Sequence, residues 1–229
     1  MKKLVVLTGA GISAESGIQT FRDADGLWEG HDIMEVATNE GFVKNPALVL
    51  DFYNKRRKQL LEVKPNIAHL ALAELQKYYE VTIITQNVDD LHERAGSKNV
   101  IHLHGELLKV RSSKDDSLIL NWNKDLNIGD LDIKGNQLRP HIVWFGEAVP
   151  LMETAIDITI KADYFIIVGT SMQVYPAAGL VDYTAPDVPI YYIDKNPAQI
   201  NNLINPLYTL PKNATEGVME VCEYLKTLK

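Results

Sequence analysis

Polar side chains that can move protons or orient a substrate follow several apolar runs of this chain. His104 ends the run "VIHLH", while Asn87 and Asp89 follow the run "VTIIT". Because imidazole titrates near neutral pH, His104 is the candidate general base. His102 shares its face of an alternating strand and is the candidate for a structural role. Turns alone would supply some of these groups, but imidazole, amide and carboxylate gathered at one sheet edge predict a catalytic site.

A second candidate site is the glycine-rich turn "GAGISAESG", which directly follows the apolar run "LVVLT". Gly9, Gly11 and Ala14 fit the dinucleotide fingerprint, in which the first glycine permits the tight turn and the second lets the backbone approach a diphosphate. The N-terminus of the following helix offers N–H groups and a positive dipole end. The pattern is weak by itself, because a glycine turn after a strand is often only a turn.

The segment after this turn, "QTFRDADGLWEGHDIMEVAT", has no strand pattern. A dinucleotide domain that carries hydride places a second strand there, ending in an acidic residue for the ribose. A long polar loop with embedded aromatic residues is more typical of a binding loop or lid. Hydride transfer is therefore disfavoured.

Strand and helix patterns alternate along the chain, which predicts an α/β fold with a mostly parallel sheet. Asn45 and Pro46 predict the start of a helix that runs to about Val63, and Asn66 predicts the cap of the next helix. Cys222 lies on the apolar stripe of the C-terminal helix and is expected in the core. The predicted strands cover 3–8, 81–85, 100–104, 164–170 and 189–194.

Composition narrows the class of protein. The chain has 229 residues, 46% hydrophobic and 23% charged, with a net charge of −7, so a nucleic-acid partner is not expected. A single cysteine cannot form an internal disulfide, which favours a reducing, cytoplasmic location. The N-terminal apolar run is too short for a signal peptide or a membrane span, so no membrane partner is expected. The polar segment 111–140 predicts a small inserted module with one short strand near 118–122.

Five motifs in order, "TGAGISAESGIQTFRDADGLW", "TQNVDDLH", "HLHGEL", "PHIVWFGE" and "GTSMQVYPAAGL", resemble the sirtuins, which are NAD-dependent protein-lysine deacylases. The resemblance covers nearly the whole chain and is greatest to the bacterial CobB-type branch. It implies one catalytic domain over 1–229, a Rossmann-like parallel sheet with helices on both faces plus a small domain inserted at about 24–65 and 105–142. It also implies that NAD is consumed as a co-substrate, with release of nicotinamide and transfer of the lysine acyl group to ADP-ribose.

The resemblance implies roles for individual residues. His104 would be the catalytic base, with Asn87 and Asp89 orienting groups around the nicotinamide ribose. An acyl-lysine protein or peptide would pair with "VWFGE" as an added strand, touching Val143, Phe145, Gly146 and Glu147. The remaining cofactor contacts would be Gly9, Ala10, Gly11, Ile12, Ala14, Glu15, Phe21, Arg22, Trp28, Gln86, Gly169, Thr170, Ser171, Asp194, Lys195, Asn196 and Ala214.

Tyr53 and Arg56 stand three residues apart in "FYNKRR", a spacing that presents both on one helix face. The residues alone favour a solvated face of adjacent cations. In the acidic-acyl branch of the sirtuins, a similar Tyr-x-x-Arg pair holds the distal carboxylate of succinyl- or malonyl-lysine, because Arg offers a planar fork and Tyr a hydroxyl. The resemblance therefore favours a carboxylate site, with acetyl-lysine as a further substrate.

The chain departs from the family at its structural zinc. No cysteine occurs in 105–148, and Ser112 and Ser113 stand where the first cysteine is expected. We expect a metal-free small domain packed around Leu118, Leu120 and Trp122. Two alternatives stay open: an NAD glycohydrolase or ADP-ribosyltransferase on the same scaffold, and a non-catalytic module that binds NAD or acyl-lysine.

Overall fold

The computed structural model describes residues 1–19, 27–28, 30–201 and 203–228, with 27 and 28 described for the backbone alone. Strands span Lys3–Thr8 (β1), Leu27–Trp28 (β2), His31–Asp32 (β3), Glu80–Thr85 (β4), Val100–His102 (β5), Gly105–Ser112 (β6), Ile119–Asn121 (β7), Leu138–Ile142 (β8), Tyr164–Val168 (β9), Ile190–Ile193 (β10) and Leu207–Leu210 (β11). Helices span Gly11–Ala14 (α1), Ile33–Val36 (α2), Asn39–Lys44 (α3), Pro46–Glu62 (α4), Ile67–Glu74 (α5), Leu91–Arg94 (α6), Met152–Thr159 (α7) and Ala214–Thr227 (α8), with 3₁₀ turns at Leu75–Lys77 and Ala177–Tyr183. The predicted α/β class is confirmed.

The main sheet is parallel and has the strand order β11-β10-β9-β1-β4-β5. Chain order reverses at β1, which pairs with β4 on one side and with β9 on the other. At the carboxyl end of β1, Thr8 lies opposite both Thr85 and Val168. In such sheets ligands bind outside the carboxyl ends of the strands at this reversal. The segments that follow β1, β4 and β9 therefore meet at one edge.

Helices cover both faces of this sheet, as the continuous apolar strands require. On one face α5 and α8 bury Leu72, Val218, Cys222 and Leu225 against β1, β4, β9 and β10. On the other face α7 and the 3₁₀ turn at 177–183 pack against the same strands. The core position predicted for Cys222 is confirmed, and burial raises the pKa of its thiol to about 12.

The two predicted asparagine caps are confirmed. The Asn45 side chain accepts a hydrogen bond from the N–H of Leu48, directly before the proline that begins α4. The Asn66 side chain accepts from the N–H of Ala68 at the start of α5. Among the described residues, no helix combines the length and apolar character that crossing a membrane demands.

A second, antiparallel sheet has the order β7-β6-β8 and packs against α4. The predicted packing around Leu118, Leu120 and Trp122 is wrong in part, because Leu120 is 43% exposed on the edge strand β7. Trp122 does pack against this core. The buried residues are Leu50, Val110, Leu126 and Leu138, which come from α4, β6, the loop after β7, and β8.

Candidate functional site

A cavity of about 1460 Å³ extends from the carboxyl edge of the main sheet to α4 and the segment after β8. Its wall brings together most of the residues that the sequence singles out. From the predicted catalytic and cofactor set, the lining residues are Gly9, Ala10, Gly11, Ala14, Glu15, Gln86, Asn87, Asp89, His104, Gly169, Thr170, Ser171, Asp194, Lys195, Asn196 and Ala214. From the predicted substrate set they are Tyr53, Arg56, Val143, Phe145, Gly146 and Glu147.

Four predicted cofactor residues are not among the described residues that line this wall. Phe21 and Arg22 lie outside the described residues, and Trp28 is described only as backbone in β2. The side chain of Ile12 is fully buried in the core between the main sheet and α5 and α8. A cofactor contact at Ile12 stays a prediction, and its side chain, which packs in the core, leaves only the backbone to make one.

The glycine turn after β1 is built by close contact between two backbone segments. Gly11 donates its N–H to the carbonyl of Gly169 at 2.8 Å, and Gly9 donates to the carbonyl of Val168 at 2.9 Å. A Cβ on Gly11 would lie 2.6 Å from the Cα of Gly169, and one on Gly9 would lie 2.7 Å from its carbonyl oxygen. Gly11 is therefore glycine because Gly169 approaches it, a reason that the fingerprint does not contain. The absent Cβ atoms leave backbone at the cavity wall, which fits a dinucleotide diphosphate.

Helix α1 is shorter than the fingerprint predicts. It has four residues, and the N–H groups of Ile12 and Ser13 already donate to the carbonyls of Gly9 and Ala10. Glu15, which ends it, binds both the N–H and the hydroxyl of Thr215, at 2.9 and 2.7 Å. Its carboxylate thus caps α8 and joins the two helices. The helix dipole contributes less to this site than the sequence predicts.

His104 is held in one tautomer by its surroundings. β5 ends at His102, so His104 lies in the turn before β6 and does not continue the alternating strand that the sequence predicts. Its Nδ1 is 3.0 Å from the carbonyl oxygen of Gln86. A carbonyl only accepts, so Nδ1 carries the proton and Nε2 keeps its lone pair. Burial lowers the pKa of His104, which keeps the ring neutral and able to accept a proton.

Asn87 and Asp89 belong to one buried hydrogen-bond network with the glycine turn. The amide of Asn87 donates to the carbonyl of Gly9 and to the hydroxyl of Ser13, both at 3.2 Å. The carboxylate of Asp89 accepts from Ser13 at 3.0 Å and from the N–H of Leu91 at 3.1 Å. Burial raises the pKa of Asp89, although both hydrogen bonds oppose that shift. The network fixes the turn after β1 to the turn after β4.

His102 has the structural role predicted for one of the two histidines. Its Nδ1 lies 3.1 Å from the carbonyl of Asn87, and its Nε2 lies 2.7 Å from a carboxylate oxygen of Glu93. Burial lowers the pKa of His102, but the hydrogen bond and charge of Glu93 outweigh burial and raise it overall. The imidazole thereby holds the backbone of Asn87 in place.

The wall formed by α4 is buried, and the solvated cation face that the residues alone favoured is absent at Arg56. Lys55 is exposed and pairs with Asp51. Arg57 is buried and bonds to the carbonyl of Leu107. Arg56 is 7% exposed, lines the cavity, and lies with its guanidinium carbon 5.7 Å from the ring centre of Phe52. Lys55 and Lys58 face solvent, whereas Arg56 and Arg57 are buried and Arg56 lies in the cavity wall.

Contacts of Trp144, Arg111 and Arg139 in and around this wall were not predicted from the sequence. Tyr53 is fully buried, and burial raises the pKa of its phenol. The indole of Trp144 donates to the Tyr53 hydroxyl at 2.9 Å. Glu147, predicted as a substrate contact, binds Arg111 and Arg139 through its carboxylate. Ser13 stands inside a recognised motif, but nothing in the spacing of Arg139 or Trp144 indicates their shared contacts.

Comparison with known proteins gives a consistent family. A family model described as the Sir2 family matches residues 9–176. An NAD-dependent protein deacylase of Helicobacter pylori is 68% identical over 194 residues, which cover 85% of each chain. An NAD-dependent protein deacylase of Bacteroides thetaiotaomicron is 55% identical over 232 residues, which cover 98% of each chain. Similarity of this extent decides the family.

A solved structure of a Sir2 homologue in complex with NAD has the same fold. It superposes with a TM-score of 0.88 and 39% sequence identity, covering 99% of this chain and 90% of that chain. The described small sheet and the parallel sheet are thus both parts of a known architecture.

Proposed function

We propose that this chain, which belongs to the Sir2 family and is an NAD-dependent protein deacylase, acts preferentially on lysines whose acyl group ends in a carboxylate. Succinyl- and malonyl-lysine are the substrates of this kind, and acetyl-lysine is a weaker one. The observation that carries the proposal is the cation of Arg56, buried in the cavity wall one helical turn from Tyr53. A buried guanidinium that meets a ligand carboxylate gains a charge-assisted hydrogen bond, worth about 1.5–3 kcal/mol.

We assign the proton transfer to His104. NAD supplies an electrophilic ribose carbon when its nicotinamide leaves, and the acyl oxygen of the substrate attacks that carbon. The Nε2 lone pair of His104 would accept the proton of a ribose hydroxyl as that oxygen attacks the former acyl carbon, while the Gln86 carbonyl keeps Nδ1 protonated. Asn87 and Asp89, tied to the glycine turn through Ser13, hold the surrounding polar groups in fixed positions. These roles are supported by the cavity geometry.

We propose that the substrate peptide pairs with residues 143–146 as an added strand. The N–H groups of Val143, Trp144 and Phe145 donate to the His104 carbonyl, the Glu147 carboxylate and the Ala37 carbonyl respectively. Pairing with a peptide on this segment therefore uses its carbonyl oxygens. The peptide backbone would lie beside the segment that carries Trp144.

Substitution of Arg56 tests the acyl preference. Arg56→Met keeps the aliphatic stem and removes the charge, so kcat/KM for a succinyl peptide should fall about 10- to 100-fold, as a lost charge-assisted bond predicts. The acetyl version of the same peptide should change less than threefold. Lys55→Met, one residue away on the exposed face, is the matched control and should leave both substrates unchanged. Equal losses on both peptides in Arg56→Met would defeat the proposal.

The same acyl peptides and NAD distinguish deacylation from the glycohydrolase alternative. The full reaction loses the acyl mass from the peptide only when NAD is present, and nicotinamide appears in equal amount. Nicotinamide released at the same rate with and without peptide would instead favour the alternative. A module that only binds NAD or acyl-lysine would produce neither change.

We propose that the small domain is metal-free. The sequence from 105 to 148 holds no cysteine, and the described residues contain no group of three His, Cys, Asp or Glu side chains suited to a metal. Within this region Asp132 accepts hydrogen bonds from the N–H groups of Lys134 and Asn136 and from the Asn136 amide. Its hydrogen bonds with Ser112, Asn136 and Lys134 lower the pKa of its carboxyl group. Stoichiometric zinc in the purified protein by elemental analysis would contradict this.

The finer assignments remain our proposals. The core that α4 shares with β6 and β8 supports small-domain insertions at about 24–65 and 105–142. The Tyr-x-x-Arg pair supports placement in the acidic-acyl, CobB-type branch. The single buried thiol supports a cytoplasmic location.

A further inference from the structure

Trp144 is buried in the cavity wall, where it contacts Tyr53 of α4 and Arg139 of β8. It is 2% exposed and lines the cavity next to Tyr53. Its indole Nε1 donates to the Tyr53 hydroxyl oxygen at 2.9 Å. Because an indole N–H only donates, the tyrosine oxygen must be the acceptor. The hydrogen of the Tyr53 hydroxyl is consequently directed away from Trp144.

Two further contacts hold Trp144 in position. Its face carries the guanidinium of Arg139, whose central carbon is 3.4 Å from the ring centre. Its backbone N–H donates to the Glu147 carboxylate at 2.8 Å. That carboxylate also binds Arg139 at 2.7 Å and Arg111 at 3.0 Å. Edge, face and backbone are all held, so the indole N–H has one direction.

We propose that Trp144 is a positioning residue for acyl recognition: its indole fixes the Tyr53 hydroxyl so that this hydroxyl donates to the distal carboxylate of the substrate. The proposal rests on the proposed function, because it needs a carboxylate in the cavity. Trp144 itself touches the carboxylate in no step. Its effect is therefore confined to substrates that bear one.

The chemistry of the wall agrees with this role. Burial raises the pKa of Tyr53, so its phenol stays a protonated donor at any pH at which the enzyme works. Glu147 is held by Arg139, Arg111 and the backbone N–H of Trp144, so its carboxylate is already engaged. Arg56 supplies charge, and Tyr53, oriented by Trp144, supplies a directional hydrogen bond.

The test is a pair of variants that remove either partner of one hydrogen bond. Trp144→Phe keeps an aromatic ring on Arg139 and removes the indole N–H. Tyr53→Phe removes the hydroxyl and leaves Trp144 in place. Each should raise KM for a succinyl peptide three- to tenfold more than it raises KM for the acetyl peptide, with a smaller change in kcat. The double variant should be no worse than the poorer single variant, because both act through one contact.

Trp122→Phe is the matched control. Trp122 follows β7 of the small antiparallel sheet and does not line the cavity, and its indole donates a comparable bond to the Asp125 carbonyl at 3.2 Å. It should lower the melting temperature without changing the succinyl-to-acetyl ratio. A similar drop in both substrates for Trp144→Phe and Tyr53→Phe, or additive losses in the double variant, would overturn the proposal. If Trp144→Phe unfolds, Tyr53→Phe decides: unchanged succinyl KM contradicts the role.

Failure here is distinguishable from failure of the proposed function. If Arg56→Met loses succinyl selectivity while Trp144→Phe and Tyr53→Phe keep it, the acidic-acyl function stands and the positioning role falls. If Arg56→Met affects both acyl groups equally, the function itself falls, and the positioning role falls with it.

Discussion

Backbone contacts hold one side of the cavity together, and contacts between buried side chains hold the other. On the sheet side, Gly9, Gly11 and Gly169 meet backbone to backbone, and carbonyls of the turn after β4 hold the histidines. On the α4 side, buried side chains such as Tyr53 and Trp144 make the contacts. In the proposed function every substrate uses the first side, whereas Tyr53 and Arg56 on the second side meet only the acyl group. Changes on the sheet side should therefore lower all activities together, and changes on the α4 side should discriminate.

The largest effect should follow from His104→Ala on the sheet side. Loss of a general base costs about 10²- to 10⁴-fold in rate. We expect kcat to fall by this amount for acetyl and succinyl peptides alike, with an unchanged far-UV spectrum. A loss restricted to one acyl group would break the comparison between the two sides.

Acid should weaken the sheet side before it affects the α4 side. His69 is buried, and burial lowers its pKa from 6.5 to about 4. Below pH 6.5 His69 is protonated in the unfolded chain but stays neutral in the native state, so the free energy of unfolding falls as the pH drops toward 4. At pH 5 this amounts to about 2 kcal/mol. The measurement is urea unfolding at pH 7 and pH 5 for wild type and His69→Gln.

Between pH 7 and pH 5, the free energy of unfolding of His69→Gln should fall by about 2 kcal/mol less than that of wild type. On the α4 side, His141 is only half-buried and burial lowers its pKa less, while bonds to Arg139 and Arg111 lower the pKa of Glu147 although its burial opposes this. Identical pH dependence of the two proteins would show that His69 takes up its proton in the native state.

Gly11→Ala tests the backbone contact directly. The new Cβ would meet the Cα of Gly169 at 2.6 Å, and backbone atoms cannot move aside as a flexible side chain can. Overpacking of this kind costs about 1–3 kcal/mol. We expect a lower melting temperature and a higher KM for NAD, equal for both acyl peptides. A normal KM for NAD would mean that the glycine contact does not shape the cofactor site.

The smallest effect should come from Glu15, at the rim of the sheet side. Its carboxylate caps α8 through Thr215. Glu15→Ala should destabilise the protein by about 1 kcal/mol, the usual cost of losing a helix cap. Thermal unfolding measures this, and Glu153→Ala, an acidic residue in the first turn of α7, is the control. A large loss of NAD binding with no change in stability would instead assign Glu15 to the cofactor.

The sheet side was largely predictable because its signals are local. Continuous runs rich in Val and Ile predicted β1, β4, β9 and β10. Polar residues at the ends of these strands predicted which edge of the sheet carries the site. The strand β11 was not predicted, since its residues "LYTL" are mostly exposed at the sheet edge and lack a clear pattern. The contact between Gly11 and Gly169 could not be predicted, because the two glycines are distant in sequence.

The α4 side was predictable only through family resemblance. Sequence spacing placed Tyr53 and Arg56 on one helix face but could not tell a buried cation from a solvated one. Trp144, in the segment after β8, contacts α4 through the Tyr53 hydroxyl, and Arg139 of β8 lies over the Trp144 ring. No local pattern encodes such contacts between distant segments.

The central claim is that Arg56 binds a distal carboxylate. The most direct test compares a succinyl-lysine peptide with its neutral isostere, in which an amide replaces that carboxylate, on wild type and Arg56→Met. Wild type should prefer the carboxylate in kcat/KM by about 10- to 100-fold, and Arg56→Met should reduce this preference to about threefold or less. The same preference in both proteins would contradict the account.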